Sequence, residues 1–275
     1  MKIALVIPTY KPHFIYLKQL CKNIGEQTRL PDLVVIRASS CDTPEAKAIL
    51  QQLSAQPLPF PLQILDTAEP QCQAQNRNEG ADAVPPEFDI ISFFDSDDLM
   101  HPKRLEILES LFLEGAEAVL HDCMMGDACE CVCTNPEWET YDTPPSHVWD
   151  SILLQKESAI QSGNQIVSRS EILKAYPGSI IPTGKEITFL RPITMDEELE
   201  QQLPAHLGHL SIVSRLFKTI RFDEEALGYE DAKFVSDIVA RRNRTVTVCA
   251  KLSLYRVGSI LSVSTTTSSG SGYSE

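Results

Sequence analysis

Residues 88–108 read FDIISFFDSDDLMHPKRLEIL, and the first half of that stretch decides the fold. The apolar residues Ile90, Ile91, Phe93 and Phe94 have the length and bulk of a buried strand, and Asp95, Asp97 and Asp98 follow it directly. Carboxylates this close repel one another, so they ionise together only where a cation or hydrogen-bond donors meet them. A D-x-D-D at the carboxyl end of a strand suits Mn²⁺ or Mg²⁺, which take oxygen ligands and share them with substrate phosphates. A turn that caps the next helix would account for one of the three, Asp98, and not for the others.

The segments on either side alternate between strand and helix patterns. KIALVIP (2–8) is a short buried strand ended by Pro8, and HFIYLKQLCKNIGEQ (13–27) puts Phe14, Leu17, Leu20 and Ile24 on one helical face. DLVVIRA (32–38) is a second strand, and TPEAKAILQQL (43–53) is a helix with Thr43 as N-cap and Pro44 in first position. PLQILDT (61–67) is a third strand. CQAQNRNEGADA (72–83) is a polar helix, one that faces something polar. A helix over 102–115 and a fifth strand over 116–123 follow the acidic stretch. This order predicts an α/β fold: a mostly parallel sheet with helices on both sides and ligands beyond the carboxyl ends of its strands. Pro8–Tyr10, Ser39–Asp42 and Asp95–Asp98 all fall at those ends.

The second half is less regular. Residues 123–150 suggest a hairpin and loop, and 151–175 one or two helices. HLGHLSIV (206–213) contains a short strand, and a helix beginning near Tyr229 carries Phe234, Val235, Ile238 and Val239 on its apolar side. TVTVCAKLSLYRV (245–257) is a closing strand, and the Ser/Gly/Thr-rich 265–275 is expected to be disordered. The expected organisation is one domain over 1–264, with a nucleotide-binding half (1–122) and an acceptor-binding half (123–264).

The net charge of −14 disfavours general nucleic-acid binding, which depends on neutralising phosphate. No stretch approaches the roughly 20 apolar residues of a membrane span, and the apolar run at the N-terminus is too short for a secretory signal. A cytoplasmic protein is expected, with peripheral membrane contact left open. Eight cysteines without such a signal suggest reduced thiols. Cys123, Cys129, Cys131 and Cys133 lack zinc-site spacing and fit one face of a hairpin.

Glu230 and Asp231 open the late helix, where the macrodipole favours acids. Beside a metal-bound phosphate, one of them would serve as a general base. His206 and His209 flank Gly208 and are weaker candidates for acceptor or metal contact. Trp138, Tyr141 and Trp149 are read as packing under a long loop, with a sugar-stacking platform as the other possibility.

Together ALVIPTY, AQNRNEGADA, FFDSDDLMHPKRL, FDEEALGYEDAKF and YRVGSILSVS resemble glycosyltransferase family 2, with its GT-A fold, over nearly all of residues 1–265. The resemblance implies inverting transfer of a sugar from a nucleotide-sugar donor (UDP-, GDP- or dTDP-linked) to a saccharide or other hydroxyl acceptor, with Mn²⁺ or Mg²⁺. It implies that Pro8, Thr9 and Tyr10 line the nucleotide pocket and that Arg77 and Asn78 face the donor. Asp95 would approach the ribose or sugar, Asp97 and Asp98 would hold the metal, and Asp231 would be the base with Glu230 beside it. Arg256 would add a positive group near the phosphates. One departure stands out: where the family carries an acidic pair that helps read the base, this chain has Arg37 and Ala38, and Asp42 is the next acid. Two other readings remain, a haloacid-dehalogenase-like phosphatase using the same D-x-D and a GT-A module that binds nucleotide-sugar without turnover.

Overall fold

The computed structural model describes residues 1–124, 207–226, 230–241 and 245–256. Its elements run β1 (Ile3–Tyr10), a 3-10 turn (Lys11–His13), α1 (Phe14–Gly25), β2 (Leu33–Ser39), α2 (Pro44–Ser54), β3 (Leu62–Asp66), α3 (Gln73–Asp82), β4 (Ile90–Phe93), β5 (Leu99–Met100), α4 (Arg104–Leu113) and β6 (Ala118–Met124). They continue with a 3-10 turn (Leu207–His209), β7 (Ser211–Val213), α5 (Ser214–Phe217), α6 (Glu230–Ala240) and β8 (Thr245–Leu254).

The strands form one eight-stranded sheet in the order β3-β2-β1-β4-β7-β6-β8-β5. β3, β2, β1 and β4 are parallel, as the alternating pattern requires. β7 then runs antiparallel between β4 and β6, β8 pairs parallel with β6, and β5 closes the edge antiparallel to β8. Successive β1 side chains enter opposite layers. Leu5 and Ile7 join α1 and α2 on one face, and Ile3 meets α4 there. Val6 packs with α3 and α6 on the other face. Burial on both faces explains why β1 is an unbroken apolar run.

The start of α2 follows its sequence signal. Thr43 Oγ1 accepts from Ala46 N at 3.3 Å, with Pro44 in the first turn. Asp98 does not cap α4, which starts six residues later with Lys103 at the N-cap position and no side-chain cap. The reason is β5: Leu99 and Met100 pair with Leu254 and Ser253, so the acidic stretch turns into an edge strand before the helix begins. α1 secures that edge, since Asn23 accepts from Met100 N at 2.7 Å and donates to Met100 O at 3.1 Å. Gln27, one turn on, donates to His101 O at 2.9 Å.

The readings of Cys129, Cys131, Cys133, His206, Trp138, Tyr141, Trp149, the 151–175 helices and the 265–275 tail lie outside the described residues. Cys123 is buried.

Candidate functional site

Parallel pairing places Pro8, Thr9 and Tyr10 beside Arg37, Ala38 and Ser39, so the ends of β1 and β2 meet at one sheet edge. The end of β4 meets them there: Phe94 N donates to Val6 O at 3.1 Å, and Asp95–Asp98 follow immediately. Thr9 is buried, with an Oγ1 that makes no hydrogen bond among the described residues. Tyr10 packs its ring on His13 at 4.4 Å. Burial and the nearby Asp97 and Tyr16 raise its hydroxyl pKa.

The polar pattern of α3 predicts that it faces something polar, and Asn76, Arg77 and Asn78 are all buried. Asn76 donates to Ser39 Oγ at 3.0 Å, tying the helix to the end of β2. Asn78 donates to Phe222 O and Glu224 Oε1, both at 2.9 Å, and accepts from Phe222 N at 3.1 Å, so its amide secures the 222–224 segment. Arg77 is the centre of the constellation. Its Nη1 donates to Glu230 Oε1 at 2.9 Å and its Nη2 to Asp95 Oδ1 at 3.0 Å, and its guanidinium lies over the Phe222 ring. Burial alone would lower its pKa. The carboxylates of Asp95, Glu230 and Asp231 outweigh that and raise it, so this cation is permanent. Two acids far apart in sequence are thereby held by one guanidinium, with Gln73 Nε2 also donating to Asp95 Oδ1 at 3.0 Å.

Glu230 and Asp231 differ in environment. Glu230 is buried and committed to Arg77, whereas Asp231 is half-buried and accepts from Ala232 N at 2.7 Å in the first turn of α6. Asp231 therefore keeps more solvent access.

Asp98 is 1 % exposed; its Oδ1 accepts from Arg256 N at 2.8 Å, and its Oδ2 stands 3.0 Å from His209 Nε2. Asp98 Oδ2 accepts no hydrogen bond among the described residues. Burial and the neighbouring Asp97 and Asp95 push the Asp98 carboxyl well above the ordinary range, against the opposing pull of Arg256. His209 stacks on Phe94 at 4.1 Å and meets Ser253 Oγ through Nδ1 at 2.9 Å. Ligand atoms of Asp95, Asp98 and His209 all lie within 4.8 Å of one another. Asp97, expected as a metal ligand, lies in the same loop, with its Oδ2 3.8 Å from His13 Nδ1. His209 carries only a weak sequence signal, because its partners come from the β4–β5 loop, β6 and β8.

Arg256 reaches the acidic loop: its Nε donates to Asp97 O at 2.8 Å, its Nη2 to Gln19 Oε1 at 2.9 Å, and its guanidinium lies 4.5 Å from the Tyr16 ring. Asp42 lies at the exposed rim, 3.6 Å from Lys11 Nζ. Arg37, in the expected acidic position, turns toward α3. It donates through Nε to Glu79 Oε2 at 2.7 Å, and Glu79 also accepts from Gln71 and Gln75. Ala38 is buried against α1 and α2.

The fold recurs in solved structures. S. aureus TarS 1-349 in complex with UDP superposes with a TM-score of 0.56 at 15 % identity, over 93 % of this chain and 60 % of that one. A mannosyltransferase from Pyrobaculum calidifontis, in complex with GDP-Man and Mn²⁺, gives 0.55 at 15 % identity, over 94 % and 58 %. Glucosyl-3-phosphoglycerate synthase from Mycobacterium tuberculosis gives 0.51 at 15 % identity, over 93 % and 72 %. The chain thus spans about three-fifths of the length of the first two, and at this identity the likeness establishes the GT-A fold. No curated protein sequence matches the chain. Residues 4–169, well over half of the chain, match the family model described as Glycosyl transferase family 2, and the chain belongs to that family.

Proposed function

We propose that the protein transfers a glycosyl group from a nucleotide-sugar to an acceptor hydroxyl with inversion, with Asp231 as general base. The observation that carries this reading is the Asp95–Arg77–Glu230 bridge, which joins the acidic loop after β4 to the start of α6. It brings a phosphate- or cation-handling group and a helix-borne acid to the same sheet edge.

The donor set fits a divalent cation: two carboxylates and an imidazole within 4.8 Å of one another, one carboxylate oxygen being buried and accepting no hydrogen bond among the described residues. Asp95, Asp98 and His209 would hold the ion, and Asp97 in the same loop would add an oxygen. The imidazole favours Mn²⁺ over Mg²⁺, which prefers all-oxygen shells. Such an ion offsets the charge that grows on the leaving diphosphate. The solved relatives' contents, UDP, UDP-GlcNAc and GDP-Man with Mn²⁺, support a nucleotide-sugar as the donor class.

The chain's own residues do the rest. Pro8, Thr9 and Tyr10 form one wall of the nucleotide pocket, with Asp42 at its rim. Arg77 pairs with both Asp95 and Glu230, so Glu230 positions the guanidinium and Asp231 remains as proton acceptor. Asp231 takes the acceptor hydroxyl's proton while that oxygen attacks the anomeric carbon. The anomeric carbon–phosphate oxygen bond breaks on the opposite face, and nucleoside diphosphate leaves. Residues 1–122 would form the nucleotide-binding half and 123–264 the acceptor half.

The test combines donor binding and turnover. A thermal-shift screen of UDP-, GDP- and dTDP-sugars with and without Mn²⁺ should show a metal-dependent rise with one donor. Asp231→Asn should keep that rise and lose at least about a thousandfold in turnover. A fully active Asp231→Asn enzyme, or no response to any nucleotide-sugar, overturns the reading.

A further inference from the structure

Beneath the acidic loop lies a buried cation to which the proposed reaction assigns no role. Arg104 opens α4 and is 0 % exposed. Among the described residues its hydrogen-bond acceptors are all neutral: His121 Nε2 at 2.8 Å from Nε, Ser92 Oγ at 2.9 Å from Nη1, and the carbonyl oxygens of His209 at 2.9 Å and Phe93 at 3.3 Å from Nη2. Burial lowers its pKa to about 9, which leaves it protonated at neutral pH. Burying a charge without an opposite charge is costly, and an apolar side chain of similar volume would serve stability as well.

What Arg104 holds suggests its use. The β4–β7 pairing ends at Ser92 and Ser211, with one further backbone bond from Phe93 N to Leu210 O at 2.8 Å. Beyond that point the two chains separate, one toward Asp95–Asp98 and the other back through His209. Arg104 spans the separation by binding Phe93 O and His209 O with a single Nη2. Its guanidinium also lies 5.0 Å from the Phe94 ring, and the His209 imidazole stacks on the same ring, nearly parallel at 12°. Guanidinium and imidazole thus share the Phe94 ring as a contact, and the imidazole Nε2 stands 3.0 Å from Asp98 Oδ2.

We propose that Arg104 is a positioning residue that fixes His209 against the Asp95–Asp98 loop and so pre-forms the cation site. The inference rests on the reading of Asp95, Asp98 and His209 as that site. The guanidinium suits this task because its donors point in fixed directions to four acceptors on three elements, whereas a lysine ammonium presents donors from a single point.

The experiment measures Mn²⁺ affinity of the full chain from the electron paramagnetic resonance signal of free Mn²⁺, alongside apo thermal melts. Arg104→Lys keeps the charge and removes the fork; it should weaken Mn²⁺ binding about tenfold or more while still melting cooperatively. A smaller loss in a folded variant overturns the proposal, because a purely structural arginine would lower the melting temperature without moving metal affinity. If Arg104→Lys does not fold, Phe94→Leu, which removes the ring that Arg104 and His209 share, is held to the same threshold. Asp98→Asn separates the two levels. Wild type that binds Mn²⁺ and Asp98→Asn that does not, with Arg104→Lys unchanged, sinks the positioning role alone. Wild type that fails to bind Mn²⁺ sinks the cation site and the positioning role together.

Discussion

Asp98 receives the Arg256 N–H on one oxygen and faces His209 with the other, yet its carboxyl pKa is raised well above the ordinary range. Desolvation and two acidic neighbours outweigh the single backbone donor. The sign follows directly. The folded protein holds this proton more tightly than the unfolded chain, so the stability tied to it is fully present below the unfolded carboxyl pKa. That stability is lost as pH rises through the raised value. A divalent ion must displace the same proton, so Mn²⁺ affinity should grow with pH until Asp98 is ionised. The Mn²⁺-induced rise in melting temperature should therefore be larger near about pH 8 than near about pH 5. Asp98→Asn should flatten that difference, and an equal rise at both values contradicts the role given to Asp98. The D-x-D-D cluster was legible in sequence because its charges stand next to an apolar strand. Which oxygen meets which partner was not, because His209 and Arg256 arrive from positions more than a hundred residues away.

At the scale of elements, α3 shows how a helix can be polar and buried at once. Its Asn76, Arg77 and Asn78 each satisfy groups on other segments, and its close approach to the sheet depends on Gly80. A Cβ there would lie 2.8 Å from Val6 Cγ1 and 3.3 Å from Arg37 Cβ. Both neighbours belong to buried strands and have little room to yield. Gly80→Ala gains about 1 kcal/mol of helix propensity. Overpacking costs about 1–3 kcal/mol, so a net loss is expected, read as a lower urea midpoint with unchanged slope. Turnover should fall further than stability, because Arg77 lies on the same helix one turn earlier and moves with it. A variant as stable as wild type would show that Val6 gives way. Sequence showed that α3 is helical and faces polar groups. It did not show that Asn78 secures the 222–224 segment, since that contact joins positions 144 residues apart.

Across the whole molecule, the parallel half of the sheet and the later elements share one core. Phe93 of β4 meets Phe217 of α5, Phe222 and Phe234 of α6 at ring distances of 5.7, 5.0 and 6.3 Å, and Phe222 stacks on Phe234 at 3.9 Å. Each such pair adds about 0.5–1.5 kcal/mol beyond the area it buries. Phe234→Ala should cost about 3–5 kcal/mol and release α6 from β4. Chemical denaturation should show a lower midpoint, and turnover should fall even under conditions where the variant stays folded, because Asp231 rides on that helix. A loss below about 1 kcal/mol would mean that the aromatic cluster does not anchor α6.

By itself the sequence determined the alternation of β1 to α4, the sheet edge where the candidate site lies, the N-cap at Thr43 and the candidate acids on two separate segments. Those features are written in local periodicity, turn chemistry and charge next to apolar runs. Only the tertiary structure decided that β7 and β5 run antiparallel, that Arg77 bridges Asp95 to Glu230 and that Asp98 faces His209. It also decided that Arg37 pairs with Glu79 across to α3. The physical reason is common to all four: each depends on strand register or on a buried charge finding its partner across a large sequence separation, and neither leaves a periodic trace along the chain.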